Sequence, residues 1–167
     1  WSGFSLNSNK IIFVRGVFMS ELFAIKWEDT EDKLVLLDQT KLPNSIEYIK
    51  CDTVEGVYDA IKTMVVRGAP AIGVTAGYGL YFGIKGAPET SFSDFYEYVK
   101  NKADYLNSSR PTAVNLSWAL KRMMVKIDSM KAQKVSDIKK ALREEAIKIH
   151  HEDEQICRAI GENLITL

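Results

Sequence analysis

Net charge is the first thing this sequence lacks: 22 Lys and Arg balance 22 Asp and Glu over 167 residues. Without a basic or acidic excess there is no electrostatic footprint for a nucleic-acid backbone or an anionic membrane. Any anion the chain binds must be small and held locally. Cysteine is scarce as well. Cys51 and Cys157 match no metal or redox spacing, and they read as two free, buried thiols. No long apolar run is present; the richest window, 69–84, is interrupted by glycines and falls short of a bilayer span. The first eighteen positions lack a signal-peptide pattern, because Arg15 breaks the short run Ile11–Val14 and no cleavage site follows. Residues 1–18 read as an extension upstream of the fold, with Met19-Ser20-Glu21 resembling a start.

What is present is ordinary globular material, 46% hydrophobic and 26% charged, which excludes disordered and fibrous classes. Leu22–Trp27 and Leu34–Leu37 flank the acidic turn Glu28–Asp32 as a hairpin, and Ile46–Cys51 alternates as a third strand after the Leu42-Pro43-Asn44 turn. Everything later has helical character. Asp52 and Glu55 suggest a capping box ahead of Val54, Val57, Ile61 and Val65. Pro70–Gly83 is apolar all round and predicts a buried central helix. Ser91 and Asp94 cap a helix with Phe92, Phe95, Val99 and Leu106 inward. Pro111 suits the first turn of a helix carrying Leu116, Leu120, Met123 and Ile127, with Trp118 in the core. Ser136 opens the last, whose stripe runs through Ile138, Leu142, Ile149, Ile156 and Ile160 to an ending at Gly161, with Leu164-Ile165 opening a strand. Strands first and helices after predict an α+β fold.

The most informative pattern is Val65-Val66-Arg67-Gly68-Ala69-Pro70. One helix ends, Gly68 permits an unusual turn, and Pro70 begins the next helix. The N–H groups of Gly68 and Ala69, the helix dipole and the Arg67 guanidinium can converge on one phosphate. Arg110 again precedes a proline at Ser109-Arg110-Pro111-Thr112-Ala113. Two such starts facing one pocket can hold a sugar phosphate; the competing reading is helix punctuation with exposed charges. His150, His151 and Glu152–Glu154 make a weak metal pattern, since only His150 and Glu154 share a helix face. They read instead as a solvated polar face, and Cys157 reads as a core thiol.

The run Ile61–Gly73 closely resembles the signature of methylthioribose-1-phosphate isomerases, which belong with the regulatory subunits of translation initiation factor 2B. Leu37-Asp38-Gln39-Thr40-Lys41-Leu42-Pro43, Arg110-Pro111-Thr112-Ala113-Val114-Asn115-Leu116 and Ile160-Gly161-Glu162 extend the resemblance over 21–167. It implies an aldose–ketose isomerisation in methionine salvage, from methylthioribose 1-phosphate to methylthioribulose 1-phosphate. It further implies no cofactor, no metal, a cytoplasmic location and a homodimer at full length. The family's substrate-binding positions fall here on Arg67, Gly68, Ala69 and Arg110. Its catalytic cysteine lies beyond Ile160-Gly161-Glu162 and its catalytic aspartate later still, in a Rossmann-like C-terminal domain. No residue of this chain is expected to take either role, and the chain alone is expected to be inactive. On that basis 19–132 form an N-terminal substrate-binding domain, and 133–167 a linking helix with the opening of the next domain.

Three other readings stay open. A related isomerase can act on 5-deoxyribose 1-phosphate or ribose 1,5-bisphosphate. A non-catalytic module of the initiation-factor type needs no catalytic cysteine at all. A broken coding frame yields an inactive, aggregation-prone chain.

Overall fold

The structure is a computed structural model, and it describes the strand residues Phe13–Val14 and Val17–Phe18 together with residues 22–165. The Met19-Ser20-Glu21 start and most of 1–18 lie outside the described residues. Within that stretch β1 (Phe13–Val14) pairs antiparallel with β2 (Val17–Phe18), apart from the main sheet. The main sheet is a three-stranded antiparallel meander of β3 (Ile25–Glu28), β4 (Lys33–Leu37) and β5 (Tyr48–Cys51). Ile25 faces Leu36, and Leu36 faces Ile49. Leu34–Leu37 on the central strand are all buried. The 42–44 turn forms as expected, with a cis Leu42–Pro43 bond.

Five helices follow among the described residues: α1 (Val54–Lys62), α2 (Ala69–Ile84), α3 (Phe92–Asn107), α4 (Val114–Asp128) and α5 (Val135–Ile165). The α+β class holds. As its apolar sequence predicts, α2 is the central helix and touches each of the other four. Glycine makes this possible at two close approaches. A methyl group on Gly79 would lie 2.5 Å from Val57 Cγ1, so α1 sits almost on the α2 backbone. One on Gly73 would lie 2.9 Å from the Asn115 carbonyl oxygen, which brings the starts of α2 and α4 side by side. Trp27 stacks on Tyr78 at 4.8 Å between ring centroids and joins the sheet to α2.

Several expectations are corrected. Thr53, not Asp52, caps α1: it is extended, and its hydroxyl accepts the Gly56 N–H at 3.1 Å. Pro111 precedes α4 rather than occupying its first turn. Ala113 N–H bonds the Arg110 carbonyl at 2.9 Å, closing a turn that delays the helix to Val114. Gly161 does not end α5. The helix continues through Leu164-Ile165, where a strand was expected; Gly161 stands in open space, so nothing bends the chain there.

Ile156 and Ile160 are more than half exposed. Among the described residues no element packs over them, although they continue the buried stripe. For the same reason Cys157 is exposed rather than core, and Trp118 is 50% exposed. Cys51 is the buried thiol, and burial pushes its pKa up to about 11. No helix among the described residues is long and apolar enough to cross a membrane.

Candidate anion-binding site

The four helices whose N-caps are described begin in two ways. Thr53 caps α1 and Ser91 caps α3, each with a side-chain oxygen on a backbone N–H of the first turn. The starts of α2 and α4 have no side-chain cap and no acidic residue in the first turn. Their caps are Gly68 and Ala113, which have no side-chain oxygen to offer. First-turn N–H groups have no intrahelical acceptor, so these two starts keep unfilled donors and the positive end of the dipole. They are also the two starts preceded by Arg67 and Arg110, and the Gly73–Asn115 contact sets them next to each other.

The loop before α2 is held in an unusual shape. Met64 has φ 60° and Gly68 has φ 94°, a region L-residues rarely adopt. At Gly68 only glycine sits there without strain, and no atom lies where its side chain would project. The space over Gly68 and Ala69 is therefore open, and both are exposed. Arg67 is exposed too; its Nε donates to the Met64 carbonyl at 3.3 Å. Arg110 is half-buried in the turn before α4.

Neither Arg67 nor Arg110 forms an ion pair among the described residues. Arg122 and Arg143, by contrast, are clamped on carboxylates: Arg122 on Glu145 and Glu152, Arg143 on Asp29 and Asp32. The two site guanidinium groups are left available to an external anion. The expected residues Arg67, Gly68 and Ala69 thus share one helix start, and Arg110 flanks the adjacent one.

Sequence reasoning missed the support beneath them. Just past the end of β4, Gln39 ties down the Arg67 loop and Asp38 shapes the turn that carries it. Gln39 N–H bonds the Val65 carbonyl at 3.0 Å, and its side-chain amide makes a long 3.5 Å bond to the Arg67 carbonyl. Asp38 accepts the Thr40 hydroxyl at 2.6 Å and the Thr40 N–H at 3.0 Å. The Thr40 hydroxyl chiefly holds the Asp38 carboxyl below its ordinary range against the opposing effect of burial, with the charges of Lys41 and Arg67 helping. The signal in the sequence was a carboxylate and an amide directly after the apolar run Leu34–Leu37.

Beside the paired starts lies a groove of about 400 Å³, bounded by α2, α4 and the middle of α5. A second hollow, about 430 Å³, lies between β3, α2 and α5 around Trp27, Tyr78 and His150. There Tyr78 Oη and His150 Nδ1 are 3.1 Å apart, and His150 Nε2 stands 3.7 Å from Glu154. The shared face of His150 and Glu154 is as expected, but His150 packs inward rather than standing in solvent. Among the described residues no three donors gather to hold a metal ion.

The model of the initiation factor 2 subunit family matches residues 65–167. A 5-deoxyribose 1-phosphate isomerase of Clostridium botulinum (strain Kyoto / Type A2) is 67% identical over 149 residues, 89% of this chain and 43% of its own length. One from Bacillus thuringiensis (strain Al Hakam) is 51% identical over 147 residues, covering 88% of this chain and 42% of that protein. Among solved structures, a 5-methylthioribose 1-phosphate isomerase from Pyrococcus horikoshii OT3 superposes with TM-score 0.70 at 33% identity, over 77% of this chain and 36% of that one. The delta subunit of translation initiation factor eIF-2B from A. fulgidus gives TM-score 0.69 at 38% identity, over 80% and 38%. The chain spans about two fifths of the length of the curated relatives it matches.

Proposed function

Since this chain belongs to the initiation factor 2 subunit family, we propose that it is the substrate-binding part of an aldose–ketose isomerase for a 5-substituted ribose 1-phosphate. The observation that carries this is the pair of helix starts without side-chain caps, set side by side and each attended by an arginine that has no ion pair among the described residues. A phosphate monoester supplies the acceptors that both starts lack.

The substrate favoured is 5-deoxyribose 1-phosphate, because relatives at 67% and 51% identity carry that name. Methylthioribose 1-phosphate, the substrate the sequence motifs imply, comes second and is supported by the name of the Pyrococcus neighbour. The two differ only in the group on C5, so the same phosphate site serves both.

In this reading Arg67, Gly68, Ala69 and Arg110 hold the phosphate and fix the anomeric carbon. The ring oxygen gains a proton as its bond to C1 breaks. The hydrogen on C2 then passes to C1 with its electron pair, while the C2 hydroxyl releases its proton and becomes the ketone. Atoms and electrons balance without any external reductant. This chain's share is binding and orientation; the groups that give and take protons belong to sequence outside 1–167.

The test is turnover by the full-length polypeptide, with the ketose product read by NMR. Turnover of 5-deoxyribose 1-phosphate is expected. Arg67→Ala or Arg110→Ala should each raise KM about 10- to 100-fold, the worth of a charge-assisted hydrogen bond. The eIF-2B neighbour favours a second reading, a non-catalytic regulatory module. No turnover of 5-deoxyribose 1-phosphate, methylthioribose 1-phosphate or ribose 1,5-bisphosphate would establish that reading instead.

A further inference from the structure

The groove beside the paired helix starts contains two polar side chains that the protein itself leaves unused. α5 presents Glu152 and Asp153 to it, and α4 presents Asn115. Glu152 is committed, because Arg122 donates to both of its oxygens. Asp153 is not: its partly buried carboxylate has no hydrogen bond and no ion pair among the described residues. The Asn115 side-chain amide, also partly buried, has no partner among the described residues either. Burial pushes the Asp153 carboxyl above its ordinary range, against the opposing charge of His150.

The remaining walls are apolar. Pro70, Val114, Trp118 and Ile156 line the groove; Trp118 is half exposed, with the Arg122 guanidinium 5.5 Å from its ring centroid on one side, which leaves a single indole face for a ligand. An indole face and aliphatic walls, with one free carboxylate and one free amide, complement a furanose. The sugar offers C–H surface on its faces and hydroxyl groups at its edge. Position agrees with this chemistry. Pro70 lies in the first turn of α2 and Val114 is the first residue of α4, and both line the groove, so it opens directly beside the two helix starts. A phosphate at the helix starts would carry its sugar ring into this groove.

We propose that the groove is the sugar subsite, with Asp153 and Asn115 hydrogen-bonding the ring hydroxyls and Trp118 covering the ring's apolar face. This rests on reading the α2 and α4 starts as the phosphate site. It adds residues from α4 and α5 that touch the substrate, and it assigns the C2–C3 diol to them.

The experiment uses the full-length polypeptide with 5-deoxyribose 1-phosphate, its analogue lacking the 3-hydroxyl as a competitive inhibitor, and inorganic phosphate as a second inhibitor. Asp153→Ala should weaken the sugar phosphate about 10- to 100-fold while inhibition by inorganic phosphate stays unchanged. Loss of the 3-hydroxyl should weaken the analogue for the unaltered protein and cost little more in the variant, the pattern of two groups that bond each other. Asn115→Ala, on a different helix, should give the same pattern more weakly, and it carries the test if Asp153→Ala does not fold.

The proposal is overturned if hydroxyl removal costs the same with and without these side chains, as it will if the groove is covered by protein instead. It is also overturned if Asp153→Ala weakens inorganic phosphate as much as the sugar phosphate, since the carboxylate would then act on the anion and not the ring. Failure of the phosphate reading looks different: Arg67→Ala would leave inhibition by inorganic phosphate unchanged.

Discussion

The two halves of α5 have the same apolar rhythm and opposite fates. Val135, Ile138, Leu142, Ala146 and Ile149 are buried against α2 and α4. Ile156, Ile160 and Leu164 continue the stripe at helical spacing and stand 59%, 56% and 64% exposed. Between them Arg122 of α4 grips Glu145 on the inner half and Glu152 at the border, the last ion pair along α5 that holds it to the bundle among the described residues. Periodicity identifies which face of a helix is apolar. It carries no information on whether anything lies opposite.

The largest effect should come from truncating the same residue type in each half. Leu142→Ala removes a fully buried side chain and should cost about 2–5 kcal/mol, the transfer term plus a cavity. Leu164→Ala, on the open half, should stay within about 0.5 kcal/mol. Urea midpoints of the 167-residue chain check both. Equal losses would mean that the outer half is packed in solution and the comparison is wrong.

That comparison also explains how much was legible beforehand. Ser91 and Asp94 announced the start of α3 because a cap is local chemistry, and Ser91 does accept the Asp94 N–H. The glycine-rich run from Pro70 announced a central helix because only close neighbours justify so little side chain. Arg67, Gly68 and Arg110 were legible as helix-start chemistry, and the absence of capping oxygens at Gly68 and Ala113 could have sharpened the reading. What failed depended on distant partners. Trp118 and Cys157 looked like core residues because their neighbours in sequence are core residues, yet both stand exposed, and Trp118 is covered on one face only by the Arg122 guanidinium, 5.5 Å from its ring centroid. Gly161 looked like a helix stop, but a glycine in open space with helical hydrogen bonds on either side only weakens the helix, by about 1 kcal/mol. Gln39 acts across a long gap in sequence; the polar pair after Leu34–Leu37 marks its position but not its distant partner.

A smaller effect should mark the border itself. His150 closes the inner half, with Tyr78 from α2 and Glu154, His151 and Asp153 from its own helix around it. Burial lowers its pKa from the ordinary 6.5, and the charge of Glu154 opposes the shift without reversing it. The unfolded chain therefore takes up this proton at a higher pH than the folded one. Stability from this group is complete well above pH 6.5 and is lost as pH falls from there toward the folded pKa, at ~1.4 kcal/mol for each unit of lowering. His150→Gln should flatten that part of the decline between pH 7.5 and 5.5 in urea titrations. An unchanged slope would place His150 in solvent, with the other half of the helix.

The smallest effect on stability should accompany the clearest change in behaviour. Ile160 and Leu164 lie one turn apart on the bare half, and an apolar ridge of this kind tends to find another copy of itself. The 167-residue chain should then melt at a temperature that depends on protein concentration, because association adds a term that dilution removes. Replacing both residues by lysine should abolish that dependence and lower light scattering. The melting temperature at the lowest concentration should hardly move, since neither side chain contributes to the core. Lysine prefers helical geometry about as well as leucine, so α5 itself is preserved. If the double variant instead unfolds, the outer half stabilises the inner one, and the two behave as a single cooperative unit despite their difference in burial.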